Sequence, residues 1–473
     1  MGSKKGIAVD RGRERLGIWI TFVLSLGFCL GVIFAVHRFL EPFFRVYNPV
    51  VLSGVGSSPS FLTLLLVDVL RAGPLSWYLF ATFFLIVFLN ELSYAPLGIF
   101  HQYLQKKREF FIDDWKSIPE VSIIIPAYNE EKVIEDTVRT LLEVDYPKKE
   151  IIVVNDGSTD NTVSVLTPYA LDGRIRLITR PNGGKAAALN LGVSVSRGEI
   201  LVTIDADGAI ERRSVSRMVA NFRDPNVIAV AGNVKVGNRV NILTKLQAVE
   251  YLHGLNLRRR AFDLLQAVDV LPGALASFRK TALGLIGSYD KSTVTEDTDQ
   301  TLKLVKTQKP ILYEPDAVVH TEAPEDMGSL LRQRRRWYGG TFQVLMKHSA
   351  NWWKYGTFSL IGYPYMITSL VVAPMIEMIT VLLMTAYILL GRVEGVAVAI
   401  ALLFILDLAL SALAIYLDKD DWGLLLYVPL YTLIYRHVLN AFRLATYWDL
   451  IMGKTGWFRS ARYGKLGEKI EVR

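Results

Sequence analysis

The sequence predicts an α/β domain with a mostly parallel sheet and flanking helices, inserted between hydrophobic helices at the two ends of the chain. Three observations predict it. The 473 residues are 51% hydrophobic, more than a soluble chain of this size carries unless some segments lie in lipid. Between about 115 and 345, short apolar stretches alternate with amphipathic ones, the pattern of strands joined by crossover helices. The polar residues of that region gather where the strands end, as AYNE, NDGSTD and DADG, and ligands of open α/β sheets bind beyond those ends.

Residues 16–40 are almost wholly apolar and, as a helix, long enough to cross roughly 30 Å of hydrocarbon. The run is too long for a cleaved leader, and no small-residue cleavage site follows it. A second span is expected over 75–100, with Trp77 and Tyr94 as interfacial rings, whereas the apolar run at 61–70 is too short to cross. Lys4, Lys5, Arg11, Arg13 and Arg15 precede the first span, and Lys106, Lys107 and Arg108 follow the second. The positive-inside rule then puts both flanks, and the middle of the chain, in the cytoplasm. Further apolar runs lie at 360–390, broken by Pro364 and Pro374, at 393–417 and at 422–446. Three spans would leave the C-terminus outside, yet Lys454, Arg459, Arg462, Lys465, Lys469 and Arg473 in the tail argue for inside; three or four spans are therefore expected. The resulting division is a membrane region at 1–105, a cytoplasmic catalytic domain at 106–345, and an interfacial helix, membrane helices and basic tail at 346–473.

A net charge of +8 suits nucleic acid, anionic lipid or phosphorylated substrates. Its placement beside the apolar runs points to membrane lipids, and no nucleic-acid partner is expected. Cys29 is the single cysteine, which excludes an intrachain disulfide and a cysteine-built metal site. The six histidines have no ligand spacing, so His253 and His320 are expected to be packing or surface residues.

The strand ends carry the chemistry. NDGSTD puts Asp156 at the end of a strand, a pattern that also makes an ordinary capped turn. DADG offers Asp205 and Asp207 around one small residue, and a hard cation such as Mg2+ or Mn2+ is held by one or two carboxylates plus substrate phosphates. PNGGKAAALN sets two glycines and Lys185 at a helix start, where exposed amides and a cation favour an anion, although the full P-loop and Rossmann patterns are missing. TEDTD presents Glu296, Asp297 and Asp299, either as helix-capping acids or as a base for an acceptor hydroxyl. QRRRW follows, with Arg334, Arg335 and Arg336 able to stabilise a diphosphate leaving group.

PAYNE, NDGSTD, NGGKAAALN, DAD, LPGALASFRK, TEDTD and QRRRW, in this order from about Val121 to Trp337, resemble the inverting family 2 glycosyltransferases of GT-A fold. The membrane-integrated poly-N-acetylglucosamine, hyaluronan, chitin and cellulose synthases are the most similar in motif wording. The resemblance implies that Ala127, Tyr128, Glu130 and Asp156 line the nucleotide, with Lys185 nearby. It implies that Asp205 contacts the nucleotide-sugar and Asp207 the divalent metal, and that Asp297 is the general base. Arg336 would face the diphosphate, while Gly273, Glu296, Gln333 and Trp337 form the acceptor side. Of the remaining arginines, Arg334 or Arg335 would grip lipid headgroups. The implied donor is a nucleotide-diphosphate sugar, UDP-N-acetylglucosamine or a related UDP-sugar, and the implied product a β-linked polysaccharide. A lipid-linked acceptor such as a polyprenyl phosphate or a glycolipid is the alternative; a non-catalytic membrane scaffold would leave the motifs without a purpose. Trp352, Trp353, Tyr355, Tyr363 and Tyr365 are expected either to stack on sugar or to form an interfacial belt. Glu377 and Asp407, charged within apolar runs, call for a partner or a wet cavity, and one of them is expected to line the path of the polymer.

Overall fold

The computed structural model describes residues 92–107 and 118–452, apart from Ser288, Asn351, Leu390 and Arg392. The expected span at 16–40, the segment at 61–70, most of the 75–100 run and the basic tail lie outside the described residues.

Eight strands make one sheet: β1 (Val121–Ala127), β2 (Lys149–Asn155), β3 (Arg176–Thr179), β4 (Ile200–Thr203), β5 (Gly208–Ile210), β6 (Ala229–Val236), β7 (Ala276–Arg279) and β8 (Ile311–Thr321), in the order β3-β2-β1-β4-β7-β6-β8-β5. The first half is parallel throughout, β3 to β2 to β1 to β4. β7 then enters antiparallel between β4 and β6, and β5 pairs antiparallel with β8, while β6 and β8 run parallel. The sheet is therefore mixed rather than mostly parallel. This mixed sheet with flanking helices fits the GT-A architecture that the motifs imply.

Burial explains the order. Val121, Ile123, Ile124 and Ile125 of β1, and Ile152, Val153 and Val154 of β2, are fully buried, the near-continuous apolar run that a strand covered on both faces requires. The helix Ile134–Leu142 lays Ile134, Val138 and Leu141 against the core at helical spacing. The helix Lys185–Val195 brings Ala186, Ala187, Ala188 and Gly192 inward, and the absent Cβ of Gly192 lets it press on the Ile124 side chain. Because β1, β2 and β4 are parallel, their C-terminal ends open on one edge, and the segments 128–131, 156–160 and 204–208 meet there.

Beyond the sheet, the helix Met327–Lys347 leads to two apolar helical stretches, Thr357–Leu389 and Val396–Asp418, which by length and composition could each cross a membrane. The first is interrupted by a π-helical turn at Thr368–Val372, between Pro364 and Pro374. The third apolar run falls across a 3-10 turn (Trp422–Tyr427), a π turn (Tyr431–Tyr435) and the helix Arg436–Ile451. That last helix carries Arg436, His437, Arg443 and Asp449, and it packs along Met327–Lys347, where Gly339 lies against Leu450 and Thr446.

Gly198 tests the sheet. A Cβ there would lie 2.5 Å from Ser122 N, 2.8 Å from Val121 C and 2.9 Å from Glu120 O, all backbone atoms that cannot yield. Gly198→Ala is expected to destabilise the domain by about 1–3 kcal/mol, the usual cost of overpacking, read as a lowered midpoint in chemical denaturation.

Candidate active site

The first two loops clasp each other. Asn129 has a left-handed backbone, φ 54°; its Oδ1 accepts from Thr159 N at 2.7 Å, and its own N–H donates to Ser158 Oγ at 2.9 Å. Glu130 N donates to Thr162 Oγ1 at 2.8 Å. Ala127 and Glu130 are buried, whereas Tyr128 is exposed at the rim. Asp156 is buried and accepts from Arg180 Nη1 at 2.5 Å, Gly183 N at 3.0 Å and Gly184 N at 2.7 Å. Its carboxylate thus shapes the Gly-Gly turn that starts the Lys185 helix. Gly157 (φ 75°) is the residue this packing requires, since a Cβ would sit 2.8 Å from Asn182 N.

Lys185 is the centre. Its Nζ lies 2.6 Å from Asp205 Oδ1 and 2.9 Å from Glu296 Oε1, joining the end of β4 to the first turn of the helix Glu296–Val305. Burial alone would lower the ammonium's pKa, but Asp205, Glu296 and Asp297 overcome it and hold the pKa above the ordinary lysine value. Asp297 Oδ2 accepts from Gly273 N at 3.3 Å, and its Oδ1 from Thr298 N at 2.7 Å. Burial raises the Asp297 pKa above the usual carboxylate range and the charge of Glu296 raises it further, while Lys185 and the Thr298 amide pull it back. Gly273 must lack a side chain: a Cβ would stand 2.8 Å from Lys185 Nζ and 3.6 Å from both Asp205 Oδ2 and Asp297 Oδ2.

Asp207 is buried beside this cluster, accepting from Thr321 Oγ1 at 3.4 Å. Among the described residues no group of three or more His, Cys, Asp or Glu side chains is arranged as a closed metal site. One or two carboxylates completed by substrate oxygens are what Mg2+ or Mn2+ requires, and Asp207 with Asp205 fits that open arrangement.

The helix Met327–Lys347 is capped by Asp326, whose side chain accepts from Ser329 N at 2.8 Å. Successive residues on a helix point about 100° apart, so the three arginines diverge. Arg334, fully buried, pairs with Glu250 Oε2 at 2.7 Å and lays its guanidinium 4.3 Å from the centroid of the Trp337 ring. Arg335 pairs with Asp449 at 3.0 Å. Neither is a free headgroup ligand: both partners are carboxylates of the protein itself. Gln333, Arg336, Trp337 and Gly340 share the remaining face, at i, i+3, i+4 and i+7. That face meets the TED turn, because the Cβ position of Gly340 is 2.6 Å from Thr295 Cγ2. Among the described residues Arg336 has no ion pair.

Beside Tyr338 lies a cavity of about 280 Å³, lined also by Glu250, His253, Arg258, Tyr365, Glu377, Tyr431, Tyr435, Arg436 and Arg443 among others. Glu377 lines it, accepting from His437 Nδ1 at 2.5 Å and facing Arg436 Nε at 3.5 Å. Asp407 does not; it is fully buried, bound by Thr432 Oγ1 at 2.7 Å and Arg436 Nη1 at 3.0 Å. Of the five aromatic residues after the motif, only Tyr365 lines the cavity. Trp352 stacks on Tyr363 at 5.1 Å, the Tyr355 hydroxyl donates to His348 O, and Trp353 is exposed. His253 packs edge-on against Tyr431 at the cavity wall, and His320 pairs with Glu211 at 3.1 Å. Glu250, Tyr435 and Arg443 carry no motif, and no local signal in the sequence marks them.

Residues 122–286 match the family described as glycosyl transferase family 2. The chain carries a family 2 glycosyltransferase domain. Poly-beta-1,6-N-acetyl-D-glucosamine synthases of Staphylococcus epidermidis and of Staphylococcus aureus (strain COL) are 33% and 34% identical to this chain over 234 and 246 residues. Those matches cover 49% and 52% of this chain and 57% and 59% of the relatives, so it spans under three fifths of their length. A mannosyltransferase from Pyrobaculum calidifontis, solved with GDP-Man and Mn2+, shares the fold at a TM-score of 0.55 and 21% identity, over 80% of this chain and 100% of that one.

Gly273→Ala probes the cluster around Lys185. Displacing the ammonium by the width of a methyl group is expected to cut kcat/KM for sugar transfer roughly 100-fold, the scale of a misplacement of about 1 Å, while the thermal midpoint stays within a few degrees. A normal rate in this variant would mean that Lys185 need not stay where it is.

Proposed function

We propose that the chain is a multi-pass membrane glycosyltransferase that transfers sugar with inversion from a UDP-sugar, UDP-N-acetylglucosamine or a related donor, onto the end of a β-linked polysaccharide. The observation that carries the reading is Asp297: a half-buried carboxylate of raised pKa, fixed by the Gly273 amide and faced by Lys185, at the edge of the sheet where a ligand would enter. The acceptor hydroxyl attacks the anomeric carbon as its proton passes to an Asp297 oxygen; the bond from that carbon to the diphosphate oxygen breaks, and the nucleoside diphosphate leaves with the electron pair. Attack opposite the leaving group turns an α-linked donor into a β-linkage. Lys185 and Arg336 supply positive charge on the leaving-group side. Tyr128, exposed at the rim, offers its ring to the base, while Ala127, Glu130 and Asp156 build the nucleotide pocket, Asp156 by shaping the turn before Lys185. A divalent ion, held through Asp207 with Asp205 beside it, would screen the diphosphate charge. Trp337, Gln333, Glu296 and Gly273 surround the acceptor end.

Two findings favour a polymer over a single transfer to a lipid. The curated relatives are named as synthases of a polysaccharide, and the cavity begins next to the motif helix, with Tyr338 on its wall. The two apolar helical stretches support a membrane location, and the basic residues flanking the N-terminal apolar runs support a cytoplasmic transferase domain. Sizing the product made from a panel of radiolabelled UDP-sugars separates the readings: long chains from one sugar support the polymerase, and single addition to extracted lipid supports the alternative.

Asp297→Asn is expected to lower transfer at least 1,000-fold, within the range a positioned base contributes (about 10²–10⁴). The same variant should not lose stability. A carboxyl whose folded pKa is raised loses stability as pH climbs past its unfolded value, so at neutral pH the amide removes a cost and the thermal midpoint should hold or rise. The acid limb of kcat/KM should lie above the ordinary aspartate value of 3.8. Because Lys185 lowers that pKa, Lys185→Met should move the limb to higher pH; a shift to lower pH would contradict the assignment.

A further inference from the structure

One carboxylate ties the motif helix to the cavity. Glu250 ends the helix Ile242–Glu250, and its Oε2 accepts from Arg334 Nη2 at 2.7 Å and from the Tyr435 hydroxyl at 2.7 Å. Arg334 is fully buried with its guanidinium over the Trp337 ring, 4.3 Å from its centroid; Tyr251, the next residue after Glu250, sets its ring 6.4 Å from the same indole. The plane of Trp337 is thus braced by two residues, and the chain at 250–251 holds both. A buried guanidinium that loses its countercharge must find another partner or move, and among the described residues the other groups hydrogen-bonded to Arg334 are neutral, Gln333 Oε1 at 2.6 Å and the Tyr251 hydroxyl. On its far side Glu250 lines the cavity with Tyr338, Tyr435 and Arg443.

We propose that Glu250 is a positioning residue for the acceptor: through Arg334 it fixes the plane of Trp337 on which the acceptor sugar stacks, and through Tyr435 it aligns that plane with the mouth of the cavity. This rests on the reading of Trp337 as the acceptor platform. It predicts a split that a general loss of structure does not give, because among the described residues Glu250 bonds to Arg334 and Tyr435 and makes no hydrogen bond or ion pair with Lys185, Asp205, Glu296 or Asp297.

The test uses the full chain in detergent micelles, with UDP-N-acetylglucosamine as donor and a short β-linked N-acetylglucosamine oligosaccharide as acceptor, each varied at saturating levels of the other. Glu250→Gln and Arg334→Met should each raise the acceptor KM roughly 10-fold, the scale of one charged hydrogen bond, and leave the donor KM within twofold. Because both act through one contact, the double variant should be no worse than the worse single variant, and Glu250→Asp should recover part of the loss. Donor and acceptor KM moving together, or additive effects, would overturn the proposal. Should Glu250→Gln fail to fold, Tyr435→Phe carries the test: acceptor KM up about threefold with donor KM unchanged supports the proposal, and an unchanged acceptor KM overturns it. A wild-type chain that transfers no sugar from any UDP-sugar would instead contradict the proposed function.

Discussion

A single ammonium faces three carboxylates at the edge of the sheet, and much of the fold serves to keep it there. Lys185 Nζ sits within 2.6 Å of Asp205 and 2.9 Å of Glu296, with Asp297 contributing to its field. β1 and β2 carry the loops that shape the Gly-Gly turn before it, β4 delivers Asp205, the helix Glu296–Val305 delivers the acids on the other side, and Gly273 leaves the space between. With all three carboxylates ionised the cluster is negative. On the proposed reading a diphosphate entering such a place would need compensating charge, which Arg336, without an ion pair among the described residues, and a divalent ion at Asp207 would supply. Desolvation and the charges of Glu296 and Asp205 together explain why Asp297 holds its proton more tightly than an ordinary aspartate.

Holding Asp297 there costs stability, and the surroundings offset the charge elsewhere. Asp299, two residues beyond Asp297, is fully buried yet accepts from Lys347 at 2.7 Å and His348 at 2.8 Å, and faces Lys303 at 2.9 Å. Those bonds hold its pKa well below the ordinary value despite burial, and they anchor the C-terminal end of the motif helix to the helix that bears Asp297. Two acids on one short helix thus have opposite fates, one kept poised by burial and one kept ionised by cations. Deeper in the chain, Glu377, Asp407 and Arg436 repeat the logic among apolar helices, where charge persists only beside a partner.

Sequence reading located the strands of the first half well and put the motif acids at their ends, because the signals there are local. β1, β2 and the Lys185 helix announce themselves through apolar runs and a Gly-Gly start, and the acids cluster at strand ends as sheet geometry demands. The parts it missed depend on distant pairing. β7 is a four-residue strand whose direction is set by its neighbours, and β8 contains Glu314, Pro315 and Asp316, where its pairing to β6 shifts register. The arginines are the clearest case. Three in a row look like one patch, but a helix turns each to a different neighbour, so Arg334 and Arg335 find Glu250 and Asp449 from far along the chain, while Arg336 has no ion pair among the described residues. Glu250 itself has no motif around it; its importance comes from what converges on it in space.

The central claim is a single displacement at the anomeric carbon, driven by Asp297 and stabilised around Lys185. The anomeric configuration of the first product tests it most directly, read by proton NMR during the early turnover of an α-linked UDP-sugar. The account predicts a β-linked product from the first turnover, with no α-linked species preceding it. An α-linked first product would mean retention, and would contradict both the role of Asp297 and the geometry built around it.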